Sequence, residues 1–347
     1  MIDPHVHLRD WQQKEKESLA HGLAVAKRAS ITAVFDMPNT NPPLTTRESI
    51  RRRLADVKAL EAGVEYYIWA GVTANSEQIK EVVDATADFD GKVVGLKLYA
   101  GHSTGNMGLT DEPVQGSVYH QLAQLGYEGV VALHCEKESL MHPDLNDPSD
   151  FSSHSKVRPP EAEIVSIQDQ LRLAADAGFR GHLHICHIST IEGVKIVGEA
   201  KQAGRRVSCA VTPHHLLLTE VDAKKPHLWA KMNPPLRDER QRSALFEALL
   251  GGEIDWVETD HAPHTLADKR GGASGIPGFS GLLLALKALT DAGASSDLLY
   301  QLFGGNVAAL FGLREQKIVL PPYEVLQQLN AELAGEYPWD AFADLRD

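Results

Sequence analysis

Eight short apolar segments alternate with amphipathic stretches along this chain, and that alternation constrains the fold more than any other feature. The segments are Ile2–His7, Ile31–Met37, Tyr66–Val72, Val93–Tyr99, Val130–Cys135, His182–His187, Val207–Thr212 and Asp255–Asp260. Each is short and mostly apolar, as strands buried on both faces are. Between them lie Lys14–Ser30, Thr46–Ala62, Ser76–Ala87, Gln115–Leu125, Pro160–Ala177, Thr190–Ala203 and Arg237–Leu250, with apolar residues at helical spacing. Ser280–Ala292 and shorter helices to Leu313 follow. A crossover that holds a helix is what a parallel strand pair requires. Repeated eight times, the pattern predicts an α/β fold, a (β/α)8 TIM-type barrel. The expected domains are a barrel over residues 1–313 and a C-terminal extension over 314–347 that packs on it. Thr45 and Glu48 have the spacing of a capping box. Gly63, Gly91, Gly126, Gly178 and Gly204 fall where helices or turns want a left-handed residue.

Composition narrows the function classes. The 347 residues carry a formal charge of -13, which argues against nucleic acid as the main partner. No apolar run reaches the length of a membrane helix, and the acidic, histidine-rich start does not resemble a signal peptide. The three cysteines, Cys135, Cys186 and Cys209, lie in apolar strands far apart in sequence. A disulfide framework is not expected, and a reducing, cytoplasmic setting is. Cys135 and Cys186 each adjoin a histidine. If His134 and His187 face a site, strand alternation sends both cysteines to the packing side.

The unusual polar residues collect at strand ends. His5 and His7 are two apart on the first strand, so both side chains point the same way and can grip one ion. Asn39 follows strand two, Lys97 nears the end of strand four, and His134, His187 and Asp260 end strands five, six and eight. Barrels of this kind keep their active sites at that C-terminal mouth. Any one histidine is more often an ordinary hydrogen-bonded residue, so the convergence is what carries weight.

The chain resembles the dihydroorotases of the amidohydrolase superfamily from residue 2 to about residue 313. The resemblance rests on His5-Val6-His7-Leu8-Arg9-Asp10, Met37-Pro38-Asn39-Thr40, Gly95-Leu96-Lys97-Leu98-Tyr99 and His134-Cys135-Glu136. It continues through His184-Ile185-Cys186-His187-Ile188-Ser189, Thr212-Pro213-His214-His215-Leu216 and Thr259-Asp260-His261-Ala262-Pro263-His264. It implies two divalent metals, usually zinc. His5, His7 and Asp260 would hold one, and His134 and His187 the other. Lys97, carboxylated by carbon dioxide, would bridge them. An apolar strand is a poor place for an unpaired ammonium, and a carbamate makes Lys97 an anionic ligand. The metals would activate a hydroxide that attacks the ring amide, with Asp260 shuttling the proton.

The implied reaction interconverts N-carbamoyl-L-aspartate and L-dihydroorotate in pyrimidine biosynthesis. Arg9 lies on the face of His5 and His7, where a guanidinium can fork onto the substrate carboxylate. Asn39 and His264 match positions that complete carboxylate binding. Asn233, in Lys231–Arg237, and Gly278, in Gly275–Phe279, match loops that contact the ring. Thr104, in the glycine-rich Ala100–Asn106, is a candidate lid contact. One of His214 and His215 is placed to orient a ligand. His182 and His184 should face the helices by parity, and His261 should point away from Asp260. His21, His120, His142, His154 and His227 read as surface residues. The first strand starts at residue 2, so the small β-sandwich of long amidohydrolases is expected to be absent or reduced. The resemblance also brings in a homodimer and association with aspartate transcarbamoylase as candidate assemblies. Two rival readings stay open. One is a hydrolase of hydantoin, dihydropyrimidine or allantoin, rings without the carboxylate. The other is a non-catalytic scaffold subunit.

Overall fold

The computed structural model describes residues 1–102, 107–313 and 316–346. Eight strands follow one another around one sheet in chain order, each parallel to the next. They are β1 Ile2–Val6, β2 Ala33–Asp36, β3 Glu65–Gly71, β4 Val93–Ala100, β5 Val130–Cys135, β6 His182–Ile185, β7 Val207–Val211 and β8 Trp256–Val257. Beyond β8 the chain returns to β1 through a parallel bridge between Val6 and His261, where the His7 N–H donates to the His261 carbonyl at 2.7 Å. β8 is shorter than the expected Asp255–Asp260. Thr259 turns to donate from its N–H and hydroxyl to Asp3 at 3.1 and 2.6 Å, and Asp260 takes a φ of +48°.

The crossover helices keep close to their sequence signals. Ser76–Ala87 and Pro160–Asp176 start where expected. The first helix is shortened to Leu19–Arg28, because Ser18 caps it by accepting from the His21 N–H. The capping box of the next helix is one residue later than expected, on Thr46 and Ser49. Gly126 and Gly178, at φ of +66° and +68°, end their helices as anticipated.

Two apolar layers result. The outer one packs Val34, Ile68, Leu96, Leu133, Ile185 and Val211 of the strands against helix residues such as Leu23, Ile50, Ile79 and Val194. The inner one fills the barrel with Phe35, Tyr67, Trp69, Ala132, Ala210 and Trp256. Phe311 stands edge-on to Phe35 and Trp69, with ring centroids at 5.0 and 5.5 Å. Gly95 makes room for this. A Cβ there would sit 2.7 Å from the Trp69 ring and 2.5 Å from the Val130 carbonyl. Near the end of the chain, helix Tyr323–Leu333 packs on Phe279–Asp291. Trp339, Ala341 and Phe342 join a third cluster with Leu236 and Ile276. Among the described residues no helix is long and apolar enough to cross a membrane.

Candidate metal centre and substrate cavity

The pairing of β1 with β2 shifts by one residue between Asp3 and Val6. Ile2 lies in the inner layer, and beyond the shift His5 and His7 both face the cavity at the mouth. Their Nε2 atoms lie 3.2 and 2.8 Å from one Asp260 carboxylate oxygen. The other ring nitrogens are held from behind, His5 Nδ1 by Glu258 at 2.9 Å and His7 Nδ1 by Asn39 at 2.5 Å. A partner on the far nitrogen sets ring orientation and tautomer, leaving Nε2 for the site. Asn39 therefore orients His7 as well as lining the cavity.

His134 and His187 meet on the neighbouring side, Nδ1 to Nε2 at 3.2 Å, and the His187 ring lies 5.1 Å from that of His5. His187 is past the end of β6 with a φ of +36°, which breaks the strand's alternation. That break overturns three expectations. His184 does not face the helices. It lies inside the barrel, bonded to Glu258 and Ser208 at 3.2 and 3.0 Å and stacked on Trp256. His182 also turns to Ser208, at 2.8 Å. Cys186 belongs to the inner layer, with its Sγ 3.1 Å from Lys97 Nζ, whereas Cys135 takes the packing side as expected. Strand parity does not carry across a residue that is no longer extended. His261 does point away from Asp260, toward Glu17 at 3.2 Å.

Lys97 is fully buried, and among the described residues no carboxylate pairs with it. Burial pushes the Asp260 carboxyl up, but His5 and His7 more than reverse this and hold it well below the usual range. Burial lowers His7 to about 4 against the pull of Asp260, and it takes His187 well below an ordinary imidazole. His5 differs. Burial disfavours its charge, yet Glu258 raises its pKa well above the usual value.

A narrow cavity of about 20 Å³ opens beside this cluster. Arg9 lines it and is almost wholly buried, with its guanidinium 3.4 Å from His264 Nε2 and 3.3 Å from the Pro263 carbonyl. Asn233 lines it too, its side-chain oxygen accepting from His154 at 2.7 Å. His154 is thus buried behind the site rather than a surface residue. Gly278 does not line the cavity. Its N–H donates to His261 Nδ1 at 3.1 Å, and Gly275 and Ser274 form that wall. Thr104 lies outside the described residues. Of His214 and His215, the latter bonds the Pro234 carbonyl at 3.1 Å, while both nitrogens of buried His214 lack a partner among the described residues.

Sequence reasoning named the loops that hold Met232 and Gly275 but not those residues, and it missed Tyr99 and Ser274 in the lining and Glu258 behind it. Tyr99 and Glu258 carried a signal, since each lies two residues from a singled-out residue, Lys97 or Asp260. The others sit on loops with no period to read.

The donor set suits divalent cations. His5, His7 and Asp260 present three ligand atoms within 4.8 Å of one another. His134 and His187 aim nitrogen at nitrogen, an arrangement that a shared cation relieves. Among the described residues His187 Nδ1 has no partner. Such a centre next to a buried arginine can polarise a carbonyl and hold an anionic substrate.

No family model matches the chain. A curated dihydroorotase from Geobacillus sp. is 36% identical over 296 residues, covering 83% of this chain and 65% of its own length. One from Halobacterium salinarum is 34% identical over 325 residues, covering 91% of this chain and 72% of its own. The chain thus spans about two thirds of the length of the curated relatives it matches. Among solved structures, an L-hydantoinase (dihydropyrimidinase) from Arthrobacter aurescens superposes with a TM-score of 0.78 at 26% identity, covering 91% of this chain and 71% of that one.

Proposed function

The chain belongs to the dihydroorotase family, and from that premise we propose that it interconverts N-carbamoyl-L-aspartate and L-dihydroorotate in de novo pyrimidine synthesis. The observation that carries this reading is one cavity lined by both the histidine–aspartate cluster and buried Arg9. His5, His7 and Asp260 would hold one divalent ion and His134 and His187 a second, with carboxylated Lys97 between them; zinc is the expected metal. Bound there, the metals would supply Lewis acidity to the ring carbonyl and acidify water. Arg9, supported by His264 and Asn39, would hold the substrate carboxylate and so orient the ring. Asp260 would take the proton from the attacking water on a carboxylate oxygen and deliver it to the ring nitrogen as the C–N bond opens. Asn233 would face the ring. The likeness to an L-hydantoinase supports a second reading, hydrolysis of a ring without a carboxylate. A buried arginine in the cavity wall favours the first, because among the described residues its guanidinium meets a carbonyl and an imidazole but no carboxylate, and an anionic substrate would offset its charge.

The test is direct. Purified protein should carry close to two divalent ions per chain and open L-dihydroorotate, and chelation should abolish the activity. Asp260→Asn should lose about a hundredfold or more in turnover, the scale of a positioned acid/base. Hydrolysis of hydantoin but not of dihydroorotate would transfer the assignment to the second reading. A fully active preparation without metal would remove the metal centre from it.

A further inference from the structure

Lys269 is, with Lys97, one of two buried lysines among the described residues. It sits on the short helix Leu266–Arg270, just past His264, and is completely inaccessible. Among the described residues no carboxylate pairs with it. Its Nζ donates instead to three backbone carbonyls, those of Lys231 at 3.1 Å, Ala273 at 2.9 Å and Gly275 at 2.9 Å. The ammonium also rests on the Trp339 ring, 4.7 Å from its centroid.

These partners belong to the cavity wall. Lys231 precedes Met232 and Asn233, and Ala273 and Gly275 flank Ser274; Met232, Asn233, Ser274 and Gly275 all line the cavity. The two loops are also tied directly, by the Gly275 N–H to the Lys231 carbonyl at 2.9 Å. Trp339 reaches the same wall by a second route. Its indole N–H donates to the His264 carbonyl at 3.3 Å, and His264 Nε2 lies between the Arg9 guanidinium at 3.4 Å and the Ser274 carbonyl at 3.0 Å. A lysine with three acceptors has every N–H committed, so its position fixes all three carbonyls at once. A flat indole over it shuts out water, which strengthens those bonds.

We propose that Lys269, capped by Trp339 from the C-terminal segment, is a positioning residue that sets the substrate-facing wall of the cavity. It joins the loop of Asn233 to the loop of Gly275, and the end of the chain is thereby a working part of the site. The inference rests on the reading given under Proposed function, since the wall is set for a carboxylate-bearing ring. Lys269 touches no substrate. Losing it would let Met232, Asn233, Ser274 and Gly275 drift, while the metal-side residues, held by Glu258 and Asn39, stay in place.

The experiment measures kcat and KM for L-dihydroorotate with Lys269→Met, Trp339→Leu and the double variant. Bound metal is measured for each. KM should rise about tenfold or more in Lys269→Met, with kcat within about threefold and metal content unchanged. Trp339→Leu should raise KM by a smaller factor, and the double variant should be no worse than Lys269→Met, because ring and ammonium act as one unit. An unchanged KM in folded Lys269→Met, or parallel loss of kcat and metal, would overturn the inference. If Lys269→Met does not fold, Trp339→Leu decides alone, and an unchanged KM there overturns it. Wild-type protein inactive on dihydroorotate would show up first, and would sink the substrate reading together with this one.

Discussion

Glu258 gathers four donors onto one buried carboxylate, His5 Nδ1 at 2.9 Å, His184 Nε2 at 3.2 Å, the His187 N–H at 2.9 Å and the Trp256 indole at 3.2 Å. Two of the proposed metal-binding residues therefore depend on it. Glu258→Ala frees the His5 ring and the His187 backbone together. Metal affinity should fall about tenfold to a hundredfold, as when the group that orients a ligand is removed. Titrating metal into the stripped variant measures this, and wild-type affinity would mean that the rings are held by packing alone. Arg9 lines the same cavity. Its proposed bonds to the substrate carboxylate are charge-assisted, worth about 1.5–3 kcal/mol each. Arg9→Met should therefore lower kcat/KM for dihydroorotate by at least about tenfold to a hundredfold, with bound metal intact. Comparable loss on a ring without a carboxylate would assign Arg9 to the structure of the site instead. Arg9 and Asp260 were legible in sequence because they lie beside a short, specific motif. Glu258 was not singled out, although its place two residues before Asp260 was the one sequence signal it carried.

The joint between helix Arg47–Leu60 and the first strands depends on Arg53. This residue is wholly buried and donates to Asp36 at 2.8 Å, the Tyr66 hydroxyl at 2.8 Å, the Arg9 carbonyl at 3.1 Å and the Leu8 carbonyl. Asp36 in turn accepts from the Leu8 N–H at 2.9 Å. The helix thus fixes the backbone that carries Arg9. Removing one member of a buried ion pair leaves an unpaired charge, at a cost of about 3–5 kcal/mol. Arg53→Met should lose that much stability in urea unfolding, and a loss below about 1 kcal/mol would show that Asp36 takes up its proton or finds water. The helices themselves were read closely from their periodicity and caps. The buried arginine was not, because on sequence alone it belongs to the run Arg51-Arg52-Arg53 on a solvated face.

Across the whole molecule, the end of the chain is tied to the barrel through Glu17. The Tyr337 hydroxyl donates to it at 2.7 Å, and His261 Nε2 lies 3.2 Å away. Burial pushes the Glu17 carboxyl up, but His261, His21 and Tyr337 outweigh it and bring it to about 2 from an ordinary 4.5. A depressed carboxyl stabilises the fold above its unfolded value and ceases to do so as pH falls through the folded one. The contribution, on the order of 3 kcal/mol, should be fully present above about pH 5 and disappear toward pH 2. Glu17→Gln should therefore unfold more readily than wild type at pH 7, with the gap narrowing below pH 4 in denaturant titrations. A gap that is constant with pH would exclude the linkage.

Strand and helix alternation, the histidine pair and the carboxylate after the last strand were determined by sequence, because each depends on a period of two or 3.6 residues or on neighbours within a few positions. That was enough for a barrel, for its mouth, and for His5, His7, Lys97, His134, His187 and Asp260 as a group. The interior facing of Cys186 and His184 followed from something else, the left-handed turn at His187, and local periodicity cannot foresee such a break. The remaining walls of the cavity depended on contacts between distant loops, Lys231 with Lys269 and Gly275, His154 with Asn233, Trp339 with His264. Residues that far apart meet only when the closed barrel brings its loops to one rim, so their roles were decided by the tertiary structure alone.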